Sequence, residues 1–133
     1  MQSRAKKIQR IVRAQEQLKQ AEEWRLRALE GRLAEVEASE RELLTSLGTD
    51  NALHGLFLDA TVRRLRSVTE EAARLEQQRE QQSRKLLASA TRLKSAERLL
   101  DAAEREAERD LEKSDLLDLI EQIAATPTDA SLP

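Results

Sequence analysis

Apolar residues that step three and four positions at a time run through nearly the whole chain. That 3.5-residue repeat admits little besides long helices wound against one another. In the first half the seam reads Ile8, Ile11, Gln15, Leu18, Glu22, Leu26, Leu29, Leu33, Val36, Glu40, Leu43 and Leu47. Its steps alternate except at Leu18–Glu22–Leu26, where two fours follow each other, which reads as a stutter that locally unwinds a supercoil. In the second half a strict seam runs through Leu65, Val68, Ala72, Leu75, Arg79, Gln82, Leu86, Ser89, Leu93, Ala96, Leu100, Ala103 and Ala107. Leu111, Leu116, Leu117, Leu119, Ile120 and Ile123 then form a more hydrophobic terminal stretch.

Composition supports helices throughout. Three glycines and two prolines in 133 residues leave few places to turn, and the aromatics are Trp24 and Phe57 with no tyrosine. A β or α/β globule needs more of both. The expected fold is all-α: one domain over residues 1–125, a long two-helix antiparallel coiled-coil hairpin with a C-terminal helical overhang. The first helix is expected over 4–47, a turn over 48–57, a second helix over 58–125, and a disordered tail over 126–133. Gly48 stands where a left-handed C-cap is wanted, and Gly48 and Gly55 bracket the reversal. Asp50 to Leu58 reads either as a loop or as a short helical turn. Gly31 is a tolerated glycine inside the first helix, and Thr126, preceding Pro127, should end the second.

So short a link makes the helices antiparallel neighbours, and pairing Leu47 with Leu58 gives facing residue numbers that sum to roughly 105. In that register Arg79 and Gln82 face Leu26 and Glu23 at the stutter, where Glu22 or Glu23 offers Arg79 a counter-charge. Ile8 falls against Glu97 and Leu99, and the second helix outruns the first by about 25 residues, or 35–40 Å. An overhang with an apolar stripe and no partner in its own chain is marginal alone, so it frays, self-associates or meets another protein.

The net charge of −2 predicts no global attraction to nucleic acid or to anionic lipid. Charge nevertheless has a direction. Residues 1–13 carry Arg4, Lys6, Lys7, Arg10 and Arg13 with no acid, whereas 101–121 hold nine acids against Arg105, Arg109 and Lys113. An antiparallel hairpin brings these opposite ends together. Arg63, Arg64 and Arg66 form a second basic cluster near the turn. Acid-first pairs such as Glu23–Arg27, Glu37–Arg41, Glu70–Arg74, Glu80–Arg84 and Asp101–Arg105 are ordinary surface support.

No constellation of catalytic residues is present. The chain has no cysteine and one histidine, His54, which alone makes neither a metal site nor a triad and reads as a solvated loop residue. Carboxylates along exposed helix faces have no pocket to raise a pKa for acid work. The expectation is a non-enzyme with no cofactor and no metal. A zipper-type DNA-binding region needs a parallel dimer, so the basic start reads as an electrostatic complement to the acidic arm or to an anionic partner, and no nucleic-acid role is expected. Ile8, Ile11 and Val12 face the hairpin seam, which argues against a membrane-surface role for that segment. No signal-peptide core follows the basic start and no run approaches the ~18 apolar residues of a span, so a cytoplasmic chain without direct membrane insertion is expected. Trp24, off the core face, reads either as a partner anchor or as a side chain lying along neighbouring stems. Phe57, with Leu53, Leu56 and Leu58, reads as a plug for the hairpin tip or as a partner anchor.

The basic start with its Ile seam (Arg4-Ala-Lys-Lys-Ile8-Gln-Arg-Ile11), the hairpin near the first third and the long second helix together resemble the flagellar FliJ family and its injectisome counterpart YscO, the coiled-coil stalk proteins of type III export. Leu93-Lys94-Ser-Ala-Glu97-Arg98-Leu99-Leu100 followed by Glu104, Glu106, Glu108, Arg109 and Leu116 to Glu121 is similar to the family's charged stretch and acidic end. The likeness covers nearly the whole chain through low-complexity positions. The chain departs from the family in having no tyrosine near the tip. The resemblance implies a fold like the two-helix stalk of a rotary ATPase γ subunit, with the open end inside a hexameric export ATPase and the turn end against the cytoplasmic domain of the export gate. Carried onto this chain, it implies ATPase contacts at Arg4, Lys7, Arg10, Arg105 and Arg109, and gate contacts at Phe57, Leu58, Arg63, Arg64 and Arg66. Escort of export chaperones is a further implied role without assigned residues. It also implies a cytoplasmic place, peripheral to a membrane-embedded apparatus. The other reading of the same pattern is a generic coiled-coil scaffold or oligomerisation module.

Overall fold

The computed structural model describes residues 3–49 and 54–126. They form two helices, α1 (Arg4–Gly48) and α2 (His54–Ala125), packed against each other, with no strand among the described residues. The fold is the expected all-α hairpin.

Each helix end has a local cause. Ser3 caps α1: its Oγ accepts from the Lys6 N–H at 3.3 Å, and its carbonyl accepts from Lys7 at 3.2 Å, satisfying donors that a helix start leaves open. Gly48 ends α1, but no described glycine has a positive φ, so the left-handed cap is not formed. Thr49 stops the helix instead, its N–H and hydroxyl both donating to the Ser46 carbonyl at 3.3 and 2.7 Å. Helix α2 starts at His54 rather than Leu58, so His54 opens a helix and Gly55 lies within it. Asp50 to Leu53 lie outside the described residues. At the far end the Thr126 N–H and hydroxyl donate to the Gln122 carbonyl at 3.0 and 2.6 Å, so the residue before Pro127 closes α2 as expected. The tail from 127 onward lies outside the described residues.

Burial along α1 corrects the expected seam. Ile8, Val12 and Leu33 are buried, and Gln15, Lys19, Glu22, Leu26, Leu29, Val36, Glu40, Leu43 and Leu47 are half-buried. Those positions alternate fours and threes without a break, so there is no stutter. Val12 takes the place given to Ile11, which is 52% exposed, and Lys19 the place given to Leu18, which is 49% exposed. Lys19 fits because its methylene stem lies along the seam while its ammonium reaches Glu23 at 3.8 Å. On α2 the expected seam holds from Leu65 to Ala103, every member buried or half-buried, and fails at Ala107, which is exposed.

Two compact units divide the chain, one made of residues 1–15 and 93–133, the other of residues 16–92. In the second, Glu22 meets Gln82 and Arg32 meets Glu71, an antiparallel pairing within a residue or two of the expected register. Leu33 and Leu75 are its most buried apolar side chains. In the first, Ile8 and Val12 pack with Leu93, Ala96 and Ala103, flanked by Ala5 and Leu100. Ile8 therefore packs into the apolar side of α2 that holds Leu93, Ala96 and Ala103, whereas Glu97 and Leu99, expected opposite it, are both exposed. Among the described residues no side chain is fully enclosed, as befits a two-helix seam with solvent on both flanks.

Candidate functional site

The unit of residues 1–15 and 93–133 carries the strongest charge contrast. Arg4, Lys6, Lys7 and Arg10 stand exposed on the first turns of α1. Arg4 reaches Glu106 of α2 at 3.5 Å, both side chains being mostly in water, where such a pair contributes about 0–1 kcal/mol. Arg105 is held by Asp101 at 3.1 Å, one turn earlier on the same helix, and Arg109 is exposed. The five ATPase-contact candidates are thus all exposed on one unit. Helix dipoles oppose these charges: α1 has no acid in its first turn and α2 no base in its last, whereas isolated helices prefer acids at the start and bases at the end.

From Glu104 to Ala125 every residue of α2 is exposed, including Leu111, Leu116, Leu117, Leu119, Ile120 and Ile123. This is the expected overhang, and it holds the largest run of exposed apolar side chains among the described residues.

The unit of residues 16–92 carries the other candidates. Phe57 is 61% exposed, so it does not plug the tip; Leu53 and the side chain of Leu56 lie outside the described residues. Leu58 is exposed at 39%, and Arg63, Arg64 and Arg66 are exposed on the following turns. The seam at this end uses Thr61, Leu65 and Val68, which leaves Arg63 and Arg66 on the outer face and Phe57 and Arg64 on one flank. Leu44 and Val62 are also exposed near this end. Strict continuation of the seam through Leu43, Leu47 and Thr61 places both just beside it, a signal readable from the heptad alone. Trp24 is 70% exposed, with the Arg27 guanidinium 5.8 Å from its ring centre. It is a solvent-facing aromatic on the outer face of α1, held by a cation–π contact.

Within the seam of this unit, the expected pairing of Arg79 with Glu22 or Glu23 is not made. Arg79 bonds Glu76 of its own helix at 2.6 Å, and that bond holds the Glu76 carboxyl below its ordinary value and raises the Arg79 guanidinium. Gln82 reaches Glu22 instead, donating to its backbone carbonyl at 3.1 Å and to its carboxylate. Arg25 adds a third contact to Glu22 at 2.9 Å. An amide is cheaper to bury than a guanidinium and matches both Glu22 acceptors, which is why the neutral residue occupies the buried place and the charged one turns to the flank.

Concavities here are open grooves between the helices. One of about 300 Å³ is lined by Leu29, Arg32, Glu71, Arg74, Leu75 and Gln78 and bounded by the Arg32–Glu71 pair at 3.2 Å. No group of His, Cys, Asp or Glu among the described residues is placed to hold a metal ion, and no described helix is long and apolar enough to cross a membrane. Compared with family models, curated proteins and solved structures, the chain matches none of them.

Proposed function

We propose that the chain is a non-enzymatic coiled-coil stalk or adaptor of a bacterial flagellar or type III protein export apparatus, of the FliJ and YscO kind. The observation that carries this reading is the build of one unit: basic turns of α1 face an acidic α2 that continues, wholly exposed, beyond Ala103. A stalk that enters a ring of subunits needs exposed charge at its inserted end and a helix pair stiff enough to hold it there. In this reading Arg4, Lys7, Arg10, Arg105 and Arg109 meet a hexameric export ATPase. Phe57, Leu58, Arg63, Arg64 and Arg66, with Trp24 on the same unit, meet the cytoplasmic domain of the export gate or another partner. The chain then works in the cytoplasm, peripheral to the membrane-embedded apparatus, and export chaperones are further partners.

The test is turnover of a hexameric export ATPase with and without the purified chain. Stimulation is expected, and its loss in a variant with Arg4→Glu, Lys7→Glu and Arg10→Glu. Full stimulation by that variant contradicts the open-end assignment. A second reading, a generic scaffold or oligomerisation module, is favoured by the exposed Leu111 to Ile123 stretch. It requires a mass in the ultracentrifuge that rises with concentration.

A further inference from the structure

The seam of α1 has very different support in the two compact units. In the unit of residues 16–92 it runs through Leu26, Leu29, Leu33, Val36, Leu43 and Leu47, each buried or half-buried. In the other unit Ile8 and Val12 alone are buried on the α1 side, with Ala5 beside them, against Leu93, Ala96 and Ala103. Two branched side chains must there offset the ordering of the whole segment. Among the described residues its one ion pair to α2 is Arg4–Glu106 at 3.5 Å, with both side chains mostly in water, where such a pair holds weakly. The charges of the segment also oppose its own helix. Arg4, Lys6, Lys7, Arg10 and Arg13 all precede the first acid, Glu16, at the end where the dipole is positive.

The weakly held segment has a defined inner edge. After Val12 the seam passes through Gln15, Lys19 and Glu22, polar positions in succession, before Leu26 resumes it. Gln15 closes the unit that holds residues 1–15, and its side-chain oxygen is buried without a hydrogen-bond partner. Such an acceptor favours any state that returns it to water. Glu22, by contrast, is fastened by Gln82 through both its backbone carbonyl and its carboxylate. An opening that spreads from the start of α1 is therefore helped at Gln15 and stopped at Glu22. We propose that residues 4–15 form a strap that parts from α2 and loses its helix as one unit. It bares the Leu93, Ala96, Leu100 and Ala103 face of α2 while the helix pair of residues 16–92 stays closed.

Amide hydrogen exchange of the full chain, resolved by residue under native conditions, is the test. The amides of residues 8–15 should share one exchange free energy, below that of residues 26–40, with a step between Gln15 and Glu22. Gln15→Leu removes the orphaned oxygen and restores an apolar seam position, so it should slow exchange of the whole strap by about tenfold or more. Lys6→Glu sets an acid in the first turn, three residues after the Ser3 cap, and should slow it by about threefold. Three results overturn the proposal: strap amides that exchange as slowly as residues 26–40, rates that fall smoothly from Arg4 inward as in ordinary end fraying, or strap exchange unmoved by Gln15→Leu or by Lys6→Glu.

Discussion

Gln82 donates across the helix pair to Glu22, reaching both its backbone carbonyl, at 3.1 Å, and its carboxylate. This polar pair sits inside an otherwise apolar seam, with Gln82 among the most buried residues of the chain. A polar residue at a seam position sets register because a slipped pairing leaves it unsatisfied. Gln82→Ala is expected to destabilise the chain by about 1–3 kcal/mol in urea unfolding. Gln82→Glu removes the amide donor and sets a second carboxylate beside Glu22, so it should destabilise the chain at least as much as Gln82→Ala at pH 7; wild-type stability in Gln82→Glu would contradict the contact.

Lys19 and Leu18 exchange the roles that hydrophobicity assigns them. Leu18→Lys, at an exposed position, should change stability by no more than about 0.5 kcal/mol. Lys19→Leu, at a half-buried seam position, should raise the unfolding midpoint. Leu33→Ala, on the buried side, should cost about 2 kcal/mol or more. Thermal unfolding of the three variants checks the phase of the seam directly, because a stutter at Leu18 would reverse the first two results.

The Glu76–Arg79 bond gives a pH signature with a definite sign. A carboxyl whose folded-state pKa is depressed contributes stability above its unfolded pKa, and that contribution is lost as pH falls through the folded value. Unfolding followed from pH 7 downward should show this loss in the acid range, and Glu76→Gln should flatten that part of the profile. The effect is small, since the pair is accessible to water. A larger pH dependence in Glu76→Gln than in the wild type would contradict the assignment.

Gly31 lies in the middle of α1, and a Cβ built on it meets nothing within 4 Å. Gly31→Ala should therefore stabilise the chain by about 0.5–1 kcal/mol, by restricting the unfolded chain at no steric cost. Chemical denaturation measures it. A loss of stability would mean that this face of α1 is covered.

The heptad repeat made the helix pair and its antiparallel register legible before any coordinates, because only two long amphipathic helices satisfy a seam of that length. Structure and sequence pattern part where residue type and position disagree. Leu18 outbid Lys19 on hydrophobicity, yet burial follows the strict alternation and the lysine stem is apolar enough to fit. Charge alone directs Arg79 across the helices to Glu22 or Glu23, but Glu76, one turn away on the same helix, is reached without carrying the guanidinium between the helices. The end of α1 is legible to within a residue, but α2 begins at His54 rather than Leu58, because Gly55 reads as a turn residue and the helix absorbs it. At the candidate site, exposure of the basic start and of the overhang followed from the lengths of the two seams. The outward setting of Phe57 did not, since an apolar cluster at a helix reversal reads first as a plug for the tip.

The central claim is that the chain folds back on itself, and one distance tests it most directly. The protein has no native cysteine, so nitroxides attached at Arg32→Cys and Glu71→Cys report on the pair joined at 3.2 Å across α1 and α2. Pulsed and continuous-wave spin resonance, with the labelled chain diluted in excess unlabelled chain, should give a separation under about 20 Å that dilution does not remove, as expected for adjacent antiparallel helices. The two sites are 39 residues apart, so one continuous helix would place them on the order of 60 Å apart. That longer distance, or a short one that disappears on dilution, would contradict the hairpin.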